Sequence, residues 1–336
     1  MEDVLILGIE SSCDETAAAI VKNGREILAD VVNSQISIHQ QFGGVVPEVA
    51  SRKHIENIAL VVDTAFKEAN LSYADIDAVA VTNRPGLIGA LLVGLSFAKA
   101  FAYGLGKPLI AVNHLEGHIY ANWLEHENID FPAICLVVSG GHTSLLYMQS
   151  MGVSEVIGET RDDAAGEAFD KVARFLGLGY PGGPAVEKAA LGGEAGLFTL
   201  PRVFLDRDDY EFSFSGLKTA AMNLWMKQLR RGQNHVENMA AEFQSALVEV
   251  LVEKTIRAAR NYHVNTILLA GGVAANQALR KNMAQRTQTE GLQLFFPSLK
   301  LCTDNAAMIA GRAHSDYINR HFASLNINAH PNLFSL

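Results

Sequence analysis

GIESSCDETAAAIV at residues 8–21 and VVSGGHTSLLYM at residues 137–148 decide how this chain is read. Each passes from an apolar run, through a short tip of small and polar residues, to a threonine and a second apolar run. Two short apolar runs on either side of a tight polar tip read as a buried β-hairpin. The first has its polar tip at residues 10–16, and the second turns at Ser139, Gly140 and Gly141. The same design met twice in one chain reads as an internal duplication, which predicts two similar α/β halves with a cleft between them.

Strands and helices alternate outward from these hairpins. VLILGI (4–9), DAVAVT (77–82), PLIAV (108–112), FPAICLVV (131–138), NTILLAGG (265–272) and LQLFF (292–296) read as strands. Residues 47–69 read as a helix because Ile55, Ile58, Val62 and Phe66 recur at the helical period. Further helices are expected over 87–103, from Asn113 onward, over 162–177, after Pro184, over FSFSGLKTAAMNLWMKQL and the long segment that follows it, after Asn276, and over 303–318. Asp162 or Asp163 is the expected cap of the helix over 162–177, since a short side-chain oxygen there can accept from the first free backbone N–H groups.

The chain has 336 residues, 49% hydrophobic and 19% charged, which places it among globular proteins and allows two domains or one large α/β unit. A formal net charge of −9 speaks against a dedicated nucleic-acid binder, although a local basic patch or a partner subunit can supply the charge that phosphate contacts need. Cys13, Cys135 and Cys302 are odd in number and show no CxxC spacing, so a disulfide framework or zinc knuckle is not expected and a reducing cytoplasm is. MEDVLILGIE lacks the basic start of a signal peptide, and the apolar run PGLIGALLVGLSFA falls short of the ~18 residues of a membrane span.

Four features can carry chemistry. The SGG turn at 139–141 leaves backbone N–H groups open to an anion, with the hydroxyls of Ser139 and Thr143 as added donors, or it is an ordinary hairpin turn. AGGVAAN at 270–276 repeats a glycine pair at a strand–helix junction, where a helix N-terminus favours an anion and Asn276 can bond a sugar or base, or it is a tightly packed βα turn. Glu10, Asp14 and Glu15 crowd one tip, either to serve a metal or a water or simply as a solvated turn. His114 and His118 stand four apart and share a helix face, so they can hold one metal or form a satisfied pair. A zinc peptidase places its glutamate directly after the first histidine. Here Leu115 takes that place, and Glu116 is turned about 200° from His114 on a helix. Asp304, in the polar turn CTDN, is the candidate third ligand.

GIESSCDET, GGVVPEVASRKH, NHLEGH, VVSGGHT, DDAAGEAFDKVARFLGLGYPGGP, FSFSGLKT, AGGVAAN and CTDNAAMIA together resemble the tRNA threonylcarbamoyladenosine synthases, the TsaD family, from about residue 5 to about residue 315. The resemblance implies the actin/Hsp70/sugar-kinase fold, with two RNase-H-like domains around a nucleotide cleft. One is expected over 1–128, with a helix over 304–325 packing back on it, and the other over 129–303. It implies transfer of the threonylcarbamoyl group of threonylcarbamoyl-AMP to N6 of adenosine-37 in tRNAs reading ANN codons, with release of AMP. Carried over by position, His114, His118 and Asp304 are the expected metal ligands, for Fe2+ or zinc. Val137, Val138, Ser139, Gly140, Gly141, Asp170, Gly183, Glu187 and Asn276 are the expected contacts to the substrate and its adenine nucleotide. Asp14 and Glu15 are the candidate proton acceptors.

The resemblance also implies tRNA, a shorter paralogous subunit (TsaB), a small P-loop ATPase (TsaE) and an adenylate-forming synthase as partners, and no membrane. Arg52, Lys53, Arg230 and Arg231 are candidates to meet tRNA, or they are ordinary solvated charges. The competing readings are a zinc metalloprotease and a non-catalytic nucleotide-binding subunit.

Overall fold

The computed structural model describes residues 3–332. Two compact units form, one from Met1–Glu127 with Pro297–Leu336 and the other from Asn128–Phe296. The chain re-enters the first unit at Pro297, before the expected residue 304. The physical reason is local: the backbone N–H of Ser298 donates to the Glu125 carboxylate, and Leu301 and Cys302 are buried.

The first unit opens with β1 (Leu5–Glu10), β2 (Glu15–Lys22) and β3 (Glu26–Ser34), an antiparallel meander. A short helix α1 (Ile36–His39) leads to α2 (Pro47–Ala69), then β4 (Ala78–Arg84), α3 (Ile88–Leu105), β5 (Leu109–Asn113) and α4 (His114–Glu125). The second unit repeats the plan with β6 (Ala133–Val138), β7 (Thr143–Ser150) and β8 (Val153–Glu159). Helices α5 (Ala165–Leu176), α6 (Gly182–Ala190), α7 (Ser215–Arg230) and α8 (Val236–Asn261) follow, then β9 (Thr266–Ala270), α9 (Gln277–Glu290) and β10 (Gln293–Phe295). The returning segment adds α10 (Leu299–Cys302) and α11 (Ala307–Ile318) to the first unit.

The sheet orders are β3-β2-β1-β4-β5 and β8-β7-β6-β9-β10, which is one topology twice. In each, a hairpin-led meander is antiparallel and the last two strands join in parallel. The internal duplication is therefore real at the level of strand pairing. The strands β3 and β8 lie outside the sequence reading, and the reason is their position. They are the outer strands of their meanders, their burial is partial, and they lack the alternation that marks a half-buried strand.

Central strands read as continuous apolar runs because both faces are covered. Residues Ala78–Val81 of β4 and Ala133–Val138 of β6 are at most 1% exposed. Helix α2 buries Ile58, Val62 and Phe66 as its period predicts, whereas Ile55 is exposed. Helix α3 runs on past Lys99 to Leu105 and so reaches the length and apolar composition of a membrane span. Its Ala90, Leu91, Gly94, Leu95, Ala98 and Ala102 are buried within the first unit, as a core helix requires.

The helix expected over 162–177 begins at Ala165, and neither aspartate caps it. Its first N–H, at Ala165, is satisfied by the Thr143 hydroxyl of the second hairpin at 2.9 Å. Asp162 instead accepts from Ser213, Phe214 and Ser215 at the start of α7, and Asp163 pairs with Lys171 and Lys218. Both aspartates are more useful across the fold, because a packed threonine already serves the helix end.

Candidate functional site

The expected site residues fall into two groups, one in each unit.

In the first unit, β1 ends at Glu10 and β2 begins at Glu15, so the tip ESSCD is held at the end of the hairpin. It is fixed on several sides. The Ser11 hydroxyl donates to Ala90 O of α3, and the buried His54 of α2 bonds the Thr16 hydroxyl and Cys13 O through its two ring nitrogens. Helix α4 starts immediately after β5, capped by Asn113, whose side chain accepts from Leu115 N. That cap places His114 and His118 on the first two turns, on one face, with ring centroids 4.5 Å apart. Helix α11 packs on α4 and β1 and carries the preceding turn, with Asp304, to the same face.

Asp304 Oδ1 lies 3.1 Å from His118 Nε2 and 3.5 Å from His114 Nε2, and the two Nε2 atoms are 3.1 Å apart. His114, His118 and Asp304 are the one group of potential metal ligands of this kind among the described residues, although Asp304 lies 186 residues from His118 in the chain. The donor set suits a cation. Ligand bonds of about 2.1 Å separate neighbouring donors by about 3.0 Å in octahedral and about 3.4 Å in tetrahedral geometry, close to the 3.1, 3.1 and 3.5 Å found. Two histidines and one carboxylate with further positions open suit Fe2+ and zinc alike.

Glu10 is the residue that sequence reasoning did not place. Its only sequence signal is membership of a crowded acidic tip, and no spacing links it to a histidine 104 residues away. Fully buried, it stands 2.9 Å from His114 Nδ1 and accepts from the Thr82 hydroxyl at 2.6 Å and from Ser12 N at 2.5 Å. A carboxylate facing Nδ1 fixes the ring and leaves Nε2 to face the other donors. The buried Nδ1 of His118 has no such partner among the described residues.

The charges of these groups are coupled. Burial opposes ionisation of Asp304 and Glu10, but the neighbouring His114 outweighs it and holds both carboxyls below their usual range. Burial likewise opposes protonation of His114, and Asp304 and Glu10 together raise it well above a usual histidine. His118 is pushed down, by burial and then by the charge on His114. Glu15 is pushed up to about 10 by burial and by the carboxylates of Asp304 and Asp14, the latter hydrogen-bonded to it. Glu15 therefore sits within the electrostatic reach of Asp304.

Glu116 lies elsewhere. Its carboxylate is held by Arg312 of α11, with the guanidinium Nε and a terminal nitrogen each at 2.8 Å. Leu115 is buried. A peptidase base is thus missing from both of the positions that HLEGH offers.

In the second unit, β6 delivers Val137 and Val138, both buried, to the turn Ser139–Gly140–Gly141. Ser139 N donates to His142 O, and the Ser139 hydroxyl accepts from His142 N. With Thr143 accepting from Ala165 N, both hydroxyls expected as donors to a ligand act here as acceptors, within the turn and at the start of α5, and each keeps its own O–H for donation. A Cβ built at Gly140 or Gly141 meets no atom within 4 Å. The chain itself leaves that side of the turn open. The backbone crowding lies behind it: a Cβ at Gly166 would stand 2.7 Å from Ser139 O, and one at Gly271 would stand 2.4 Å from Val138 O. Gly271 also has φ +91°, a conformation other residues rarely adopt.

Asp170 on α5 accepts from Gly182 N at 2.7 Å, which seats the first turn of α6 and Gly183 beside it. Glu187 of α6 accepts from Gln277 N, and Asn276 caps α9 by accepting from Leu279 N at 2.9 Å while donating to Gln244 at 2.8 Å. These residues thus tie α5, α6 and α9 around one region. Beside it, a recess of about 540 Å³ is lined by residues that include Gln244, Ser245, Asn282 and Arg286. Its size is that of small-molecule sites.

Two like sheets, each led by a hairpin and flanked by helices, define the actin/Hsp70/sugar-kinase class of α/β proteins. Solved structures of that architecture align with most of the chain. HypF from T. kodakarensis does so with TM-score 0.59 at 17% identity, over 95% of this chain and 48% of its own. Component A of the Acidaminococcus fermentans (R)-2-hydroxyglutaryl-CoA dehydratase does so with TM-score 0.54 at 14% identity, over 95% and 100%. At these identities the likeness is one of fold. The sequence model of the tRNA N6-adenosine threonylcarbamoyltransferases, TsaD, matches residues 26–311, and the chain belongs to that family. A protein of that name from Syntrophomonas wolfei is 74% identical over 336 residues, 100% of this chain and 99% of its own. Another from Moorella thermoacetica is 54% identical over 98% of this chain and 96% of its own.

Proposed function

We infer that this chain carries out the reaction for which its family is named, transfer of a threonylcarbamoyl group to N6 of an adenosine in tRNA. The full-length match at 74% identity carries that reading. It is an acyltransferase that modifies tRNA. The finer reading takes threonylcarbamoyl-AMP as donor and adenosine-37 of ANN-decoding tRNAs as acceptor. N6 attacks the carbonyl carbon of the mixed anhydride, the bond from that carbon to the phosphate oxygen breaks, and AMP leaves with the electron pair.

His114, His118 and Asp304 would hold one divalent ion, Fe2+ in preference to zinc. Such an ion, when bound, supplies Lewis-acid stabilisation of negative charge on oxygen. The remaining steps fall to the chain. The N–H groups of Gly140 and Gly141 bind an anionic part of the donor. Asp170, Gly183, Glu187 and Asn276 set the backbone around the adenine nucleotide. Asp14 or Glu15 accepts the proton that N6 gives up. The adenine amine is a weak nucleophile, so holding it in place contributes strongly. In support of the metal, three donors converge at coordination spacing and His114 is oriented by Glu10.

Glu10→Gln is expected to weaken metal binding about 10–100-fold, because an amide cannot hold the Nδ1 proton as a carboxylate does. Competition with a chelator measures this. Unchanged affinity would remove Glu10 from the site.

The other partners are part of the same proposal: a TsaB-like paralogue, a TsaE-like ATPase, a synthase that supplies the adenylate, and a cytoplasmic location. Family membership supports them. The test is reconstitution of the purified chain with these partners, threonine, bicarbonate, ATP, divalent metal and unmodified tRNA, read by mass spectrometry of the nucleosides. Threonylcarbamoyladenosine is the expected product, and its absence would sink the reading.

A further inference from the structure

Helix α7 and the loop after it, residues 215–235, contain Lys218, Lys227, Arg230, Arg231 and His235 and no acidic residue, in a chain of net charge −9. Lys218 is spoken for by Asp163. Lys227, Arg230 and Arg231 are exposed and form no ion pair among the described residues. They stand at i, i+3 and i+4 and so share one face, with Cβ atoms about 5–6 Å apart. Thr219 and Asn223, both exposed, continue that face toward the start of the helix.

Exposed cations elsewhere are commonly matched. Arg52 pairs with Glu48 at 2.8 Å, Lys53 with Glu56 at 2.5 Å and Lys67 with Asp63 at 2.6 Å. Of the four basic candidates to meet tRNA, the structure therefore neutralises Arg52 and Lys53 in place and leaves Arg230 and Arg231 unmatched, with Lys227 beside them. The negative end of the helix dipole offsets about half a charge. Three like charges in one turn exceed that and repel one another. The neighbouring face of α7 exposes Met222, Met226 and Leu229, at 43%, 47% and 43%. A helix face that served only for solubility would not combine unmatched cations with three large apolar side chains.

We propose that the Lys227–Arg230–Arg231 face of α7 binds the phosphate backbone of the tRNA substrate. The cations fix the register of the RNA on the second unit without reading its sequence. This inference rests on the transferase reading, which supplies the polyanion.

The test is binding of unmodified tRNA to the full chain, assembled with its partners, by fluorescence anisotropy over a series of salt concentrations. The variant carries Lys227→Gln, Arg230→Gln and Arg231→Gln together, and circular dichroism checks its fold. Each lost phosphate contact removes about 0.7 from the slope of log K against log salt for single-stranded RNA. The expected result is a slope shallower by about 2 and affinity lower by on the order of 10–100-fold at 0.1 M salt, equally for different tRNAs. Arg52→Gln with Lys53→Gln, which removes cations already matched, should leave the slope unchanged. If the wild type binds tRNA and the triple variant keeps its slope, whatever its affinity, the inference is overturned and the transferase reading stands. If the wild-type assembly binds no tRNA, the transferase reading itself fails.

Discussion

Replacing His114 and His118 together by alanine is expected to take bound metal from one ion per chain to background and to cut threonylcarbamoyl transfer by on the order of 10³-fold. The two Nε2 atoms are two of the three donors that converge with Asp304, and one carboxylate alone does not hold a transition-metal ion firmly. The size of the loss follows from the several kcal/mol that charge stabilisation by an ion contributes, with about 1.4 kcal/mol for each factor of ten. The helix itself should survive, since alanine favours helix and the Asn113 cap is untouched. Residues 137–141, 170, 183, 187 and 276 belong to the other unit, so binding of an adenine nucleotide there should persist. Elemental analysis, nucleotide titration and the transfer assay together check this. Metal that survives the double replacement would remove the histidine pair from the site.

Gly8→Ala should damage the same site without touching any ligand. A Cβ at Gly8 would lie 2.4 Å from Ala306 O, 2.8 Å from Ala310 N and 2.9 Å from the Ala310 Cβ. Strand β1 cannot yield, because Gly8 is paired in register with Ala19 of β2 and Ala80 of β4. The start of α11 must move instead, and Asp304 precedes Ala306 by two residues. Overpacking of this kind costs about 1–3 kcal/mol, which corresponds to a fall in Tm of on the order of 5–10 °C. Metal affinity should fall as well, with Glu10 and both histidines intact. Gly140→Ala is the contrast, since its Cβ meets open space and its stability should stay within about 0.5 kcal/mol of the parent. Equal melting of Gly8→Ala and the parent would show that α11 is not held as tightly as these distances require.

Much of this protein is legible in its sequence. The hairpins at 8–21 and 137–148 announce themselves because buried strands need unbroken apolar runs and tight tips need small polar residues, both of which are local demands. The helical period likewise puts His114 and His118 on one face and turns Glu116 away from it. Eight ordered motifs carry the resemblance to the family, and with it Asp304 and the residues of the second unit. The outer strands β3 and β8 escape such a reading, since partly exposed strands carry no strict alternation.

What the tertiary structure alone decided are the pairings between residues distant in the chain. It set Glu10 behind His114, Thr143 at the start of α5 and Asp162 at the start of α7. Sequence spacing fixes which side chains share a face of one helix or strand. Which faces then meet is set by sheet order and by the close backbone approaches that residues such as Gly8 permit, and no local pattern records them.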